Sequence, residues 1–369
     1  MIEPRAIRNV DVVLVVLAAA LVVYGALLLY TASLSAYPSI TPGHPMTRHL
    51  VFAFLGVGVM VAVAWVDYRV YGQMAGGLYV VAVMMLIAVL FVGDSEYGSR
   101  RWFSFAGQQI QASEVAKLLV IITLARYLAD RQQRMDDPKV FAISFVMAAV
   151  PAGLVLIEPD MGTALVFGAF WFGMVVMAGT PPRYIAIFLG IALALLPFVA
   201  LLVLNDYQLD RFRLWIDPAS DPLGGGFNIR QAEIGIGSGG IFGKGFTDGT
   251  QTQLDFLQTS TTDYIFSVLG EELGLLGALI LFGLFTALLF RGIRAATLAQ
   301  DQFGRLIATG IVIMILFQVF INVAVNIRLV PVTGIPMPFI SQGGSSLVMM
   351  FVALGLLEGI VIRHKRIEF

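Results

Sequence analysis

The sequence is dominated by apolar runs that are long enough to cross a lipid bilayer as helices. A transmembrane helix needs about 20 predominantly apolar residues, and the first such run extends from Val12 to Tyr30. A cleaved signal peptide has a shorter apolar core of about 7–15 residues, so we interpret this run as an uncleaved first helix. Further candidate spans follow at about 50–66, 75–93, 112–129, 139–157, 160–178, 183–204, 263–290, 304–330 and 340–362. The pattern predicts an all-α, polytopic integral membrane protein with about ten transmembrane helices.

Composition supports a membrane protein and excludes several classes of function. Of the 369 residues, 58% are hydrophobic and 13% are charged, whereas soluble domains carry about 25% charged residues. The absence of cysteine excludes disulfides, thiolate metal sites and a cysteine nucleophile. A net charge of -1 excludes a generally basic nucleic-acid binder, and three scattered histidines do not predict a metal cluster.

Basic residues are distributed unequally between the two sets of connecting segments. With the N-terminus inside, the cytoplasmic segments hold Arg69, Arg126, Arg131, Arg134, Lys139, Arg183, Arg291, Arg294, Arg305, Arg363, Lys365 and Arg366. The shorter outer segments near 94–111, 158–160 and 331–339 hold only Arg100 and Arg101. This positive-inside pattern predicts that both termini are cytoplasmic.

The longest polar interval, residues 205–262, lies between the seventh and eighth predicted helices and faces outward in this orientation. Its glycines let the backbone turn tightly or pass close to a ligand. Its aromatic and paired charged residues indicate that it packs against other parts of the protein. A long loop in a compact protein is usually functional or disordered, and this interval is too apolar for disorder. We therefore expect a single domain over residues 1–369, with the active site built on this extracellular loop.

Charged side chains lie within or at the edges of several spans, where they are costly and therefore indicate function. Glu114 and Lys117 are three residues apart and share one helix face, which suits either a neutralised structural pair or a catalytic pair. Glu158 and Asp160 flank Pro159 in a very short outer connection. A turn with helix-capping carboxylates is the favoured interpretation of that connection.

Two further polar groups are interpreted as structural. Glu271 and Glu272 lie about two turns into the eighth helix and are expected to face the bundle interior and accept hydrogen bonds. Asn322, Asn326 and Arg328 lie near the outer end of the ninth helix. For Asn322 and Arg328, packing or interfacial anchoring is favoured over chemistry.

A series of motifs runs along most of the chain in a fixed order. The motifs are Arg101-Trp102, 111–117 (QASEVAK), 158–164 (EPDMGTA), 231–232 (QA) with 237–245 (GSGGIFGKG), 262–272 (TDYIFSVLGEE) and 331–345 (PVTGIPMPFISQGGS). Together they resemble the SEDS family (shape, elongation, division and sporulation), and its RodA branch most closely. Because the match covers so many segments in the family's order, it is highly specific.

Two segments depart from the family's pattern. Family members usually carry Pro-Glu-x-His after the Leu-Asp-Phe-Leu segment, where this chain has 258–261 (QTST). The family's Ser-Tyr-Gly-Gly appears here as 341–344 (SQGG). No histidine or glutamate role is therefore transferred to 258–261, and the departure does not extend to Asp255 within the Leu-Asp-Phe-Leu segment.

The resemblance implies a ten-helix peptidoglycan glycosyltransferase. Such proteins join lipid II units into glycan strands on the outer face of the bacterial cytoplasmic membrane and release undecaprenyl pyrophosphate. They work with a class B penicillin-binding protein, a transpeptidase, within the cell-elongation machinery. The expected partners are therefore lipid II, this transpeptidase, the elongation machinery and membrane lipids.

Transfer of a glycosyl unit from a lipid pyrophosphate to a sugar hydroxyl needs a base, cations for the leaving group and an apolar groove. We match the family's essential aspartate to Asp255 and expect it to act as the general base, which typically contributes about 10²–10⁴-fold. Lys117, Arg101 and Lys244 are expected to contact phosphate, while Glu114 positions Lys117 or shares in binding a divalent cation. The expected catalytic residues are thus Asp255, Lys117 and Glu114, and the expected substrate-binding residues are Arg101, Trp102, Lys244, Glu158 and Asp160.

Two other functions are alternatives to the enzyme. A flippase would carry lipid II across the bilayer, and a non-catalytic scaffold would bind and activate the transpeptidase. Buried charges and a central cavity suit a transporter equally well, whereas the outward charged loop favours chemistry on the outer face. The residues leave the metal requirement open, and the elongation role rests on the resemblance.

Overall fold

The computed structural model describes residues 9–96, 99–105, 108–202 and 206–364. These residues form a bundle of long helices, which confirms the predicted helical membrane fold. In chain order the helices are α1 (Val12–Ala32), α2 (Pro45–Trp65), α3 (Tyr68–Gln73), α4 (Ala75–Val92), α5 (Ala112–Ala129), α6 (Pro138–Ile157), α7 (Met161–Met177), α8 (Pro182–Leu202), α9 (Asp206–Ile216), α10 (Gly225–Gly239), α11 (Thr250–Gln253), α12 (Ile265–Leu298), α13 (Gln302–Asn326) and α14 (Gly344–Ile362).

Seven of these helices are long and apolar enough to cross a membrane, namely α1, α2, α4, α6, α12, α13 and α14. Helix α7 and the apolar part of α8 are shorter. Helix α5 has 18 residues and carries Glu114, Lys117 and Arg126. Each predicted span overlaps one of these helices, so the hydropathy pattern located the bundle correctly.

Polar side chains cap the N-termini of many of the helices. The capping residues are Asp11 (α1), His44 (α2), Asp67 (α3), Asp137 (α6), Asp160 (α7) and Asp301 (α13). Each accepts a hydrogen bond from a backbone N–H of the first turn, which has no partner within its own helix. The interpretation of Asp160 as a capping carboxylate is confirmed.

The long polar interval is folded onto the bundle. Its described residues form α9, α10 and α11, and α10 packs along α12. The two helices approach closely at glycines, because a Cβ added to Gly239 would lie 1.9 Å from the carbonyl oxygen of Gly270. The prediction that this interval packs against other parts of the protein is confirmed.

Helix α12 is interrupted at Gly274, which has φ 62° and ψ −158°. This conformation is accessible to glycine and leaves the neighbouring N–H groups without partners inside the helix. The segment after α10 supplies those partners: Leu275 N–H donates to Gly240 O and Leu276 N–H donates to Ile241 O, both at 3.0 Å. The second half of α12 is therefore started by backbone from another part of the chain.

The same segment, which we refer to as the 240–245 loop, also closes the first half of α12. Lys244 N–H donates to Glu271 O at 2.9 Å, and Gly245 N–H donates to Glu272 O at 3.1 Å. One loop thus provides hydrogen-bond partners for backbone groups on both sides of the interruption. An apolar environment requires such partners.

A small antiparallel sheet precedes α5, and the hydropathy pattern did not predict it. Its strands are β1 (Asp94–Glu96), β2 (Ser99–Phe105) and β3 (Gln108–Gln111), in that spatial order. Trp102 of β2 pairs with Gln111 of β3, directly before α5 begins. The sheet, α9 and residues from the segment 327–343 meet around one cavity, at what we refer to as the loop end of the bundle.

We predict that Gly239→Ala lowers the thermal-unfolding midpoint of the purified protein, because the added methyl group would overlap the Gly270 carbonyl oxygen. Gly237→Ala, in the same helix, is the matched control because an added Cβ there meets nothing within 4 Å. The control should be neutral or stabilising, since alanine is favoured over glycine in helices by up to about 1 kcal/mol. Equal midpoints for the two variants would contradict the close packing of α10 on α12.

Candidate active site

A cavity of about 890 Å³ opens at the loop end of the bundle. Its walls come from α2, β2, β3, the turn between α6 and α7, α9, the residues before α12 and the start of α14. These segments are distant in sequence and meet in the folded bundle. Charged and aromatic side chains on the walls include Arg48, Arg101, Trp102, Asp160, Arg211 and Asp263.

Arg101 joins the sheet to the turn between α6 and α7. Its Nε donates to Glu158 O at 2.7 Å, and its Nη2 donates to Pro159 O at 2.5 Å. Its Nη1 lies 3.9 Å from Asp160 Oδ2. Trp102 follows on the same strand and also lines the cavity. The structure therefore brings together all the predicted substrate-binding residues except Lys244.

The two carboxylates of this turn have different environments. Asp160 accepts hydrogen bonds from Thr163 N–H at 2.9 Å and from Gln111 Nε2 at 3.2 Å. Glu158 is buried, and its carboxylate oxygens have no hydrogen-bond partner in the described part of the chain. Burial raises the pKa of Glu158 to about 8, with the Asp160 charge acting in the same direction and Arg101 opposing it. No three His, Asp or Glu side chains among the described residues are placed to hold a metal ion.

Asp263 also lines the cavity, although no role was predicted for it from the sequence. It is half-buried and lies two residues before α12 begins. Burial raises the pKa of its carboxyl group, Asp160 adds to this effect, and the charges of Arg211 and Arg101 oppose it. A carboxylate with a raised pKa on a cavity wall is a candidate general base. The available sequence signal was its position in the motif 262–272, at the start of the predicted span 263–290.

Asp255 and Lys244 are not among the described residues that line the cavity. Asp255 is exposed and has φ 57°, a left-handed conformation that is uncommon outside glycine but less so for aspartate. Lys244 Nζ lies 2.7 Å from the buried Glu271 carboxylate and 2.8 Å from Thr250 Oγ1. Its charge is therefore neutralised beside the interruption of α12. The expectation that Glu271 is buried and accepts hydrogen bonds is confirmed.

Glu114 and Lys117 form an ion pair inside the bundle, near the start of α5. Lys117 Nζ lies 2.8 Å from Glu114 Oε1, and the two side chains are 0% and 1% exposed. Glu114 Oε2 has no hydrogen-bond partner among the described residues. Neither side chain lines the cavity. The predicted pairing is present, and it is sealed off from the cavity.

The chain matches a family model described as "Cell cycle protein" (FtsW/RodA/SpoVE) over residues 11–366. The chain belongs to the FtsW/RodA/SpoVE family. This match confirms the resemblance to the SEDS family that the motifs indicated.

Members of the FtsW/RodA/SpoVE family resemble the chain over almost its whole length. The peptidoglycan glycosyltransferase MrdB of Escherichia coli is 35% identical over 360 residues, which cover 98% of this chain and 95% of that protein. The probable peptidoglycan glycosyltransferase FtsW of Geobacter metallireducens is 36% identical over 370 residues, covering 98% and 97% respectively. A chain from a study of structural coordination of polymerization and crosslinking by a peptidoglycan synthase complex has a TM-score of 0.82 at 30% identity, covering 96% of this chain and 98% of that one.

We predict that Lys117→Met lowers the thermal-unfolding midpoint, because it leaves the Glu114 carboxylate unpaired inside the bundle. Removing one partner of a buried pair typically costs about 3–5 kcal/mol, whereas replacing both partners by well-packed uncharged groups is often neutral. The double variant Glu114→Gln/Lys117→Met should therefore recover most of the midpoint.

Activity of the double variant separates the two interpretations of the pair. Recovered stability with normal activity would identify a structural pair, and recovered stability without activity would show that the pair takes part in chemistry. An unchanged midpoint for Lys117→Met alone would contradict a stabilising ion pair.

Proposed function

We propose that this protein is a peptidoglycan glycosyltransferase that joins lipid II units into glycan strands and releases undecaprenyl pyrophosphate. The observation that carries the proposal is the cationic cavity at the loop end, with Asp263 half-buried on its wall. The proposal is supported by relatives named as peptidoglycan glycosyltransferases, which match over almost the full length.

The charges of the cavity suit a diphosphate group. Arg48, Arg101 and Arg211 line it, and the guanidinium group matches the geometry of phosphate oxygens. Helix α14 starts on the same wall at Gly344 without a side-chain cap, so its partial positive charge acts on the cavity. Fixed positive charge of this kind stabilises the negative charge that develops on a leaving diphosphate.

The chemistry needs one proton acceptor. In the proposed step, Asp263 takes the proton of a sugar hydroxyl on one lipid-linked unit. The hydroxyl oxygen forms a bond to the anomeric carbon of the other unit, whose C–O bond to the diphosphate breaks. The electron pair of that bond leaves with undecaprenyl pyrophosphate. A raised pKa makes the Asp263 carboxylate a more effective acceptor near neutral pH.

We propose Asp263 rather than Asp255 as the base on grounds of position. A general base must come within about 2.6–3.2 Å of the oxygen it deprotonates. Asp263 lines the wall and is within reach of a hydroxyl of a head group bound in the cavity, whereas the described wall does not include Asp255. Asp255 is the alternative general base if the reacting sugar extends beyond the rim of the cavity.

We predict that Asp263→Asn lowers lipid II polymerisation by at least about 10²-fold, because the amide cannot accept a proton at neutral pH. Asp255→Asn is the matched control and should polymerise at close to the wild-type rate. The polymerisation rate of each variant is measured from the glycan ladders that the purified protein makes from lipid II in liposomes. The assay is run with and without the transpeptidase. Binding of lipid II should persist in both variants, because the arginines are intact.

The opposite result, with Asp255→Asn inactive and Asp263→Asn active, would transfer the role of base to Asp255. Labelled lipid II that crosses the bilayer without forming polymer would contradict the enzyme and support a flippase.

We further propose that the loop end faces the outside of the cytoplasmic membrane and that both termini are cytoplasmic. The positive-inside pattern supports this orientation, and the opposite end of the bundle carries the Arg69–Asp301 ion pair at 3.0 Å. The similarity to a chain of a peptidoglycan synthase complex supports a transpeptidase partner. We propose that this partner is a class B penicillin-binding protein of the cell-elongation machinery.

Cysteines introduced into this cysteine-free chain should report the orientation. We predict that Ser220→Cys and Ser238→Cys react with a membrane-impermeant thiol reagent in intact cells, whereas Gln132→Cys and Gln300→Cys do not. All four positions are exposed, so accessibility to the reagent depends on the side of the membrane. Labelling of the second pair in intact cells would overturn the orientation.

A further inference from the structure

The backbone directly before α12 is held by three successive carbonyl groups. Thr261 O accepts a hydrogen bond from Gln342 N–H at 2.8 Å. Thr262 O accepts one from Ser341 Oγ at 2.7 Å. Asp263 O accepts the third, from the side-chain amide of a residue on α13. The peptide units that carry Asp263 are therefore tied to α13 and to residues 341–342, which precede α14.

That amide belongs to Asn326, which is 1% exposed. Its Nδ2 donates to Asp263 O at 2.7 Å and to Asn322 O at 2.8 Å. Its Oδ1 accepts hydrogen bonds from Ser267 N–H at 2.9 Å and from Ser267 Oγ at 2.6 Å. Both donor positions and both acceptor positions of the amide are used, so its orientation is fixed.

These bonds give α12 a cap that its own sequence lacks. Tyr264 stands at the cap position and makes no side-chain capping hydrogen bond. Asn326 instead links the carbonyl before the helix to the N–H of Ser267 in its first turn. A neighbouring amide, Asn322 Nδ2, lies 3.4 Å from Asp263 O and 2.9 Å from Ile335 O. The start of α12 is thus fixed relative to α13.

We propose that Asn326 is a positioning residue, which holds the Asp263 carboxylate at its place on the cavity wall through the Asp263 carbonyl and the first turn of α12. The effect of Asn326 on catalysis rests on the proposed function, whereas its effect on the position of Asp263 rests only on the hydrogen bonds. A catalytic group that is misplaced by about 1 Å can lower the reaction rate by as much as about 10²-fold. The loss of the amide that positions Asp263 should therefore produce a measurable fall in rate.

Two variants remove the donor to Asp263 in different ways. Asn326→Asp keeps the size and the acceptor for Ser267 but loses the amide N–H, while Asn326→Leu avoids a buried charge. Both should lower kcat by roughly 10-fold or more with little change in KM for lipid II, because the arginines of the cavity are unaffected. The matched control, Ser267→Ala, removes one hydrogen bond from the same amide and keeps the donor to Asp263. Its kcat should stay within roughly threefold of wild type.

A double-mutant cycle tests whether Asn326 acts through Asp263. In the Asp263→Asn background, Asn326→Leu should cause no further fall in residual polymerisation, because the group it positions is already inactive. A general structural role would instead lower the residual activity by the same factor as in wild type. That additive result would overturn the proposal.

A second readout does not depend on activity. Asp263→Cys provides a single thiol in this chain, and its reaction rate with a thiol reagent should change at least severalfold when Asn326→Leu is added, and little with Ser267→Ala. An unchanged rate with Asn326→Leu would overturn the positioning role even if Asp263 is the base. A changed rate combined with a fully active Asp263→Asn variant would support the positioning and contradict the proposed base.

Discussion

Every backbone polar group in an apolar environment needs a hydrogen-bond partner, and the fold depends most on this requirement at Gly274. A helix broken at that point has N–H and C=O groups without partners, and unsatisfied groups of this kind are not tolerated in a bilayer. The 240–245 loop supplies the partners on both sides of the break. Because the loop directly follows α10, the same bonds hold α10 against α12. The position at which α12 begins, and hence the position of Asp263, depends on this arrangement.

Charged side chains inside the bundle and on the cavity wall differ in whether an opposite charge lies beside them. Lys117 pairs with Glu114 at 2.8 Å, and Lys244 pairs with Glu271 at 2.7 Å. Removing one member of a buried pair is strongly destabilising, and the Lys244–Glu271 pair joins the 240–245 loop to α12. Asp263, in contrast, faces a cavity with its pKa raised by burial. Burial alone therefore does not identify the candidate base, whereas its position on the cavity wall does.

The sequence predicted the helices well and the candidate site only in part. Apolar runs determine where spans form, because a bilayer accepts little else. The small sheet escaped detection because strands as short as Asp94–Glu96 have no clear periodicity. Arg101 and Trp102 were found through a motif, and they do line the cavity. Asp263 was missed because the distance between a carboxylate and a cavity is a property of tertiary structure, whereas Asp255 was chosen as the match to the family's essential aspartate.

The construction of the cavity has a consequence for biosynthesis. One wall carries Arg48 from α2, and another carries Ser346 from α14. These two helices pack closely, since a Cβ added to Gly355 of α14 would lie 2.7 Å from Met60 O of α2. The ribosome must therefore release the chain as far as α14 before the pocket has all its walls. The pocket is therefore complete only when α14 enters the membrane.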